Sequence, residues 1–500
     1  MSARKPNILV FMTDQQRGAT VLPDNPAKTP VIDRFRSDAV TFTNAYCPSP
    51  HCCPSRATFF TGLYPTEHGV WHNVSVQNAI TRGLTPGVRL WSEDLADAGY
   101  DLHWSGKWHV SFEEGPSDRG WREWSVTAGP QRDARSFMGT SWDGYRELAG
   151  QESGAGDPAA RGDGQIIRPG YGTYTHYGVN ENPFRDQDQV DAAIRALESI
   201  GADRAAPAAG ESTDAPWMLY VGTLGPHDPY VVPQRFLDLY DPDDIELPRS
   251  FTDRMADKPA LYRKTRDRFD QLTPEEHRKA LHHYYAFCSY EDYLFGQVLD
   301  ALDRSGEADD TIVVYCSDHG DYTADHGLWC KGLPCFRGAY HVPAIVRWPG
   351  RIADPGRSVD APVSLADFGP TFLAAAHVDP ARPMTGMSLL PFLTGDAPAS
   401  WRTEMYTQTN GNELYGIQRA VWNESWKYVY NGFDYEELYD LQSDPDETVN
   451  LFGRTEHDSV VREMSAKLWR FAHDHGDTCI NPYVMVALAP YGPAEAFSDV

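Results

Sequence analysis

Four short apolar runs that each stop abruptly at polar residues constrain this chain more than any other feature. They are NILVFMT before Asp14, YDLHWS before Gly-Lys-Trp-His (106–109), WMLYVGT before Leu-Gly-Pro-His-Asp-Pro (224–229), and TIVVYCS before Asp-His-Gly-Asp (318–321). Unbroken apolar runs of this length suit strands covered on both faces of a sheet. Helix-like segments lie between or after them: the region after Arg56, LWSEDLADAG, DQVDAAIRALESIG and HHYYAFCSYEDYLFGQVLDALDRSG, the last closed by Gly306 at a C-cap position. This alternation predicts an α/β fold, a large, mostly parallel mixed sheet sandwiched by helices. Ligands in such folds gather at the carboxyl ends of the strands. Asp14 and Gln15, Lys107 and His109, His227, and Asp318 and His319 are therefore expected to meet in one polar site. Taken singly, an aspartate at a strand end is often a helix cap, and a lone histidine or lysine is usually a satisfied or solvated side chain.

The pattern changes near Gly386. Short runs such as YGIQRAVW, WKYVYNG and EELYDL, separated by turn residues, predict a small antiparallel sheet followed by a helix over about 459–473. The expected division is a main α/β domain over 1–385 carrying the site, and a smaller C-terminal α+β subdomain over 386–500 with an extended tail. Residues 129–183 read as an insertion over the strand ends, 202–216 as an exposed loop and 241–248 as an acidic turn. The net charge of −27 disfavours nucleic acid and anionic membranes as partners. The N-terminal apolar run is too short for a signal or a membrane span, so the expected compartment is the cytoplasm. Eight irregularly spaced cysteines suit buried thiols better than a disulfide framework, and Cys330 and Cys335 lack zinc-site spacing.

Between the first two runs stands HCCPSRATFFTG (51–62). It resembles the C-x-P-S-R-x-x-x-L-T-G signature of the sulfatase family, a branch of the alkaline phosphatase superfamily. Phe60 replaces the leucine. The likeness extends to T-G-L-Y-P-T-E-H-G-V, G-K-W-H, P-H-D-P, S-D-H-G-D, D-H-G-L-W-C-K-G and E-L-Y-D-L, and so covers nearly the whole chain. It implies an alkaline phosphatase-like fold and oxidation of Cys52 to Cα-formylglycine by a formylglycine-generating enzyme, with Cys53 in the variable position.

The resemblance further implies hydrolysis of a small sulfate ester by the hydrated aldehyde. One hydroxyl of the diol attacks sulfur and the other lets sulfate be expelled. One divalent metal is implied, with Asp14, Gln15, position 52, Asp318 and His319 as ligands; hard cations prefer such oxygen donors. Calcium is the family's ion, and His319 leaves manganese or magnesium open. Arg56, Lys107 and Lys331 would offset the charge that builds up in transfer. His227 with Lys331 would protonate the leaving oxygen, and His109 would take a proton from the second hydroxyl. Lys107, His227 and Lys331 would also bind substrate, as would Asn73, which lies where related enzymes place a sulfate-facing amide. His68 and His72 are assigned no role.

Rival readings are a phosphonate or phosphate mono- or diester hydrolase of the same superfamily, an N-sulfatase, and an unmodified, non-catalytic binding protein. Phosphonate monoester hydrolases tend to carry uncharged hydroxyl residues where this chain has Lys107 and His109, which favours sulfate. Choline sulfatases resemble this chain in their metal ligands and in a C-terminal extension that reaches a neighbouring subunit, which implies a homo-oligomer.

Overall fold

The computed structural model describes residues 5–130, 142–151, 161–168, 172–205, 215–395, 398–412, 414–478, 481 and 487–498. Eight strands form the main sheet: Asn7–Thr13 (β1), Ala39–Phe42 (β2), Asp101–Lys107 (β3), Arg122–Thr127 (β4), Trp217–Gly222 (β5), Thr311–Ser317 (β6), Ala344–Arg347 (β7) and Ser358–Val359 (β8). Their spatial order is β8-β2-β7-β6-β1-β5-β3-β4. The four predicted runs are β6, β1, β5 and β3, which lie side by side at the centre and run parallel. Only β7 is antiparallel to its neighbours. Parallel pairing delivers the carboxyl ends of all four central strands to one edge.

Alternate residues of β1 feed different halves of the core. Ile8, Val10 and Met12 pack on one face, Leu9 and Phe11 on the other. The first face is covered by Cys52–Thr61 (α1) and Trp91–Asp97 (α2), the second by Asp186–Ala205 (α3) and Pro274–Ser305 (α4). Helix α4 starts where Thr273 accepts a hydrogen bond from Glu276 N at 3.2 Å, and it ends at Gly306 in the left-handed conformation (φ 77°), as its sequence predicts. Phe60, the departure from the leucine of the signature, sits in a cage of aromatic rings from Trp91, Trp104, Trp108 and Tyr220, with centroids 5.2–5.9 Å away. The larger ring fills space that the surrounding aromatics define.

Strand β3 runs two residues beyond the Tyr-Asp-Leu-His-Trp-Ser run, through Gly106 to Lys107. Gly106 pairs with Gly222 of β5 at φ 108°, and a β-carbon there would lie 1.9 Å from the Gly222 carbonyl oxygen. Only glycine lets the strand continue at this closeness and carry Lys107 to the edge.

The C-terminal sheet is four antiparallel strands in sequence order, Met405–Gly411 (β9), Tyr415–Trp422 (β10), Trp426–Asn431 (β11) and Glu437–Asp440 (β12). Helix Asp458–Asp474 (α5) covers it, with Met464, Leu468 and Trp469 against Val421, Tyr428 and Leu438. Three of these strands and the helix match the predicted segments; β9 has no counterpart among them. The described part of 129–183 holds a helix, Trp142–Gln151, and three short strands, Gln165–Arg168, Gly172–Thr175 and Tyr177–Val179; its remainder lies outside the described residues. Of the expected loop at 202–216, residues 202–205 belong to α3, which continues to Ala205, and 206–214 lie outside the described residues. Among the described residues, no helix is long and apolar enough to cross a membrane.

Candidate active site

Backbone hydrogen bonds tie three strand ends together past the edge of the sheet. Asp318 N donates to Thr13 O (3.2 Å), Asp14 N to Gly225 O (3.0 Å) and Thr223 N to Met12 O (3.1 Å). Gln15 leaves β1 in the left-handed region (φ 66°), and His109 leaves β3 likewise (φ 52°). Non-glycine residues hold such conformations where their surroundings over-determine them, as around functional sites.

Helix α1 begins at Cys52 and points its first turn at these ends. Cys52 Sγ lies 3.3 Å from His319 Nε2 and 3.7 Å from Asp14 Oδ1. Ligand atoms of Asp14, Cys52, Asp318 and His319 all lie within 4.8 Å of one another, and all four residues are buried. Cys53 faces away, its sulfur accepting from Val74 N at 3.3 Å. The two neighbouring thiols therefore titrate oppositely. Burial raises both, but Lys107, Lys331 and His319 outweigh it at Cys52 and bring that thiol well below its usual value, whereas Cys53 stays raised.

The next turn of α1 explains the Ser-Arg pair of the signature, because both residues serve Asp318. Ser55 Oγ donates to the Asp318 carbonyl, and Arg56 Nε donates to its Oδ2 at 2.7 Å. Arg56 also donates to Lys107 O (3.2 Å) and Tyr220 OH (2.8 Å), and its Nη2 lies 3.6 Å from Asp14 Oδ2. Lys107 Nζ pairs with the same Asp14 oxygen. Burial and Cys52 push the Asp14 carboxyl up, but Lys107, His227 and Arg56 prevail and hold it at about 2. Asp14 is thus ionised at neutral pH.

The two carboxylates and the imidazole could hold a divalent cation. His319 Nδ1 lies 2.9 Å from Gly320 O, an acceptor only, so Nδ1 carries the proton. The Nε2 lone pair is left facing Asp14 Oδ1 (3.4 Å) and Asp318 Oδ1 (3.7 Å). A histidine fixed in this tautomer beside two carboxylates is a metal-ready arrangement.

Gln15 is brought to the same place, and its amide also bridges neighbouring side chains. Oε1 accepts from Lys331 Nζ (2.6 Å), and Nε2 donates to Asp321 Oδ2 (2.6 Å) and Asp228 Oδ1 (3.2 Å). Lys331 also reaches His227 Nε2 at 2.6 Å, and His227 Nδ1 lies 2.5 Å from Asp228 O. Burial and Lys331 lower the His227 pKa, yet Asp228 and Asp14 outweigh them and raise it. His109 presents a buried Nδ1 without a hydrogen bond, and its Nε2 lies 3.5 Å from Ser75 Oγ. Asn73 Oδ1 accepts from Cys53 N at 3.0 Å, so its oxygen serves the start of α1 and only its NH2 could face a ligand.

Two further acids join the site from inside the same motifs, Asp228 and Asp321. Asp228 takes hydrogen bonds from Gln15 and Tyr174. Asp321 accepts from Gln15, Tyr230 OH (2.6 Å), Thr323 N (2.7 Å) and Cys330 N (3.1 Å), while burial pushes its carboxyl up to about 6. The second aspartates of Pro-His-Asp-Pro and Asp-His-Gly-Asp were the available signal. Tyr220, inside an apolar strand, offered none.

Comparison with known proteins agrees with this geometry. The sulfatase family model matches residues 6–378, and the model of the C-terminal region of N-sulphoglucosamine sulphohydrolase matches 324–474. The choline-sulfatase of Rhizobium meliloti (strain 1021) is 31% identical over 477 residues, covering 90% of this chain and 83% of that protein. Arylsulfatase K of Xenopus laevis is 26% identical, covering 93% and 82%. The crystal structure of the phosphonate monoester hydrolase of Agrobacterium radiobacter superposes with a TM-score of 0.74 at 24% identity, covering 94% of this chain and 96% of that one. With its signature helix set against an alkaline phosphatase-like sheet and the family model spanning most of its length, the chain belongs to the sulfatase family of sulfuric ester hydrolases.

Proposed function

We propose that the protein cleaves a sulfate ester to an alcohol and inorganic sulfate, with Cys52 oxidised to formylglycine and one divalent cation held by Asp14, Gln15, Asp318, His319 and position 52. The observation that carries this reading is the buried quartet, in which the residue at the signature cysteine faces two carboxylates and an imidazole lone pair. The modified residue would supply a nucleophilic hydroxyl, and the cation would polarise it and a sulfate oxygen. Arg56 pairs with both Asp318 and Asp14 and holds them in place. Lys107 and Lys331 bring two ammonium groups close enough to act on Cys52, where sulfate oxygens need compensation. His227 and Lys331, sharing one hydrogen bond, protonate the departing oxygen; His109, whose Nδ1 is unpartnered, takes the proton from position 52. The Asn73 NH2 completes the sulfate contacts. The reading takes calcium as the ion, a formylglycine-generating enzyme as the maturation partner, the cytoplasm as compartment, a homo-oligomer as assembly, and 1–385 and 386–500 as the two domains.

Two other readings each have one observation in favour. The likeness to a phosphonate monoester hydrolase keeps phosphoryl esters open, and the match to the C-terminal model of N-sulphoglucosamine sulphohydrolase keeps N-sulfates open. Lys107 and His109 favour sulfate over phosphonate. Peptide mass spectrometry across Ala45 to Arg56, on protein made with a formylglycine-generating enzyme, should find an aldehyde at position 52 and a thiol at 53. The same protein assayed on O-sulfate, N-sulfate and phosphonate esters should prefer the O-sulfate. An unmodified Cys52 would overturn the nucleophile, and a preference for either other ester would replace the substrate class.

A further inference from the structure

The turn that carries His227 is held from below by two buried acids that have no part in the chemistry described so far. Residues 223–227 leave β5 as a tight loop whose own closure is the bond from His227 N to Leu224 O at 3.1 Å. Above, the loop is tied to β1 through Thr223 N to Met12 O and Asp14 N to Gly225 O. Below it stands Asp186, the first residue of α3, fully buried. Its two carboxyl oxygens accept separately from Leu224 N (2.9 Å) and Gly225 N (2.8 Å). One side chain thus satisfies two consecutive backbone donors of another segment, which fixes the plane of the peptide between them.

Glu291 of α4 closes the same space from behind. It is fully buried, and burial together with the neighbouring Asp186 carboxyl raises its pKa well above the usual carboxylate range. A β-carbon on Gly225 would lie 2.1 Å from Glu291 Oε1 and 2.4 Å from the Phe287 ring. The Glu291 carboxyl is therefore packed against the Gly225 α-carbon, and no side chain fits at 225.

We infer that Asp186, with Glu291 wedged behind Gly225, is the positioning residue for His227, fixing the turn so that the imidazole meets Lys331 at 2.6 Å. The inference rests on the reading that His227 and Lys331 protonate the leaving oxygen. Asp186 touches neither substrate nor reacting atoms, so its loss affects the proton transfer that depends on loop geometry and spares steps that do not.

The test compares two aryl sulfates on the mature enzyme. p-Nitrophenolate departs without protonation, whereas the phenolate of phenyl sulfate needs a proton. Asp186→Asn keeps one accepting oxygen and sets an NH2 against the other backbone N–H. It should lower kcat/KM for phenyl sulfate about 100-fold while changing that for p-nitrophenyl sulfate less than about threefold, and speed amide exchange at Leu224 and Gly225. Equal losses on both substrates, or unchanged exchange at those amides, overturn the inference. His227→Gln is the control that separates the two claims. If it too lowers both substrates equally, the acid assignment fails; if it discriminates and Asp186→Asn does not, only the positioning role fails. Should Asp186→Asn not fold, Gly225→Ala, which collides with Glu291 and with the Phe287 ring, should give the same leaving-group signature, and adding Glu291→Ala together with Phe287→Ala should restore at least about tenfold on phenyl sulfate. Failure of those added changes to restore activity overturns the wedge.

Discussion

Lys331 Nζ stands 2.6 Å from His227 Nε2, although the two residues are 104 positions apart in the chain. An ammonium can only donate, so His227 accepts at Nε2, and its Nδ1 proton goes to Asp228 O. The proton available to a leaving group belongs to the pair rather than to either residue. His227→Gln and Lys331→Ala should each lower kcat/KM for phenyl sulfate about 10²- to 10³-fold, and the double variant should lose little more than the worse single one. Multiplying losses in steady-state kinetics would show two independent donors.

Arg56 is fully buried and paired with both Asp318 and Asp14, so it cannot be replaced by a point charge on a longer stem. Arg56→Ala leaves buried carboxylates short of their partner and should cost about 3–5 kcal/mol in urea unfolding at pH 7. Arg56→Lys should recover part of that stability and almost none of the activity. A midpoint for Arg56→Ala equal to that of the parent protein would contradict the bracing role.

Gly106 is the residue that lets β3 reach the edge, because a β-carbon would sit 1.9 Å from Gly222 O at a backbone angle that side chains avoid. Gly106→Ala should displace Lys107 and destabilise the fold by more than about 2 kcal/mol, measured as a lower denaturation midpoint. An unchanged midpoint with full activity would mean that the strand tolerates the shift.

Asp253 lies far from the reaction and offers a separate check on electrostatics. Burial raises its carboxyl, but His326 Nδ1 (2.8 Å), Met255 N (2.7 Å) and Lys258 (3.0 Å) outweigh it and hold the group at about 2. The folded value lies below the unfolded one of about 3.9, so this group's contribution is complete above that value and lost as pH falls toward 2. Between pH 5 and 3 the parent protein should lose about 1 kcal/mol more than Asp253→Asn, after allowance for the group's partial exposure. Parallel stability curves for the two proteins would refute the assignment.

The sequence alone determined the four central strands and which polar residues stand at their ends. Apolar runs of β1, β3, β5 and β6 ended where polar residues began, and two-sided burial of a parallel sheet requires unbroken hydrophobicity. The signature at Cys52 was equally local, since a modifying enzyme reads neighbouring residues. What the tertiary structure decided was which partners these residues take. The Gln15 amide bridges Lys331 to Asp228 and Asp321, two acids that fold in from different loops. Asn73 gives its oxygen to Cys53 N, and Asp186 and Glu291 reach the His227 turn from α3 and α4, which cover the second face of the sheet. Hydropathy and spacing report on burial and direction along one segment. A hydrogen bond between segments depends on where the packed layers bring their ends, which is a property of the whole core.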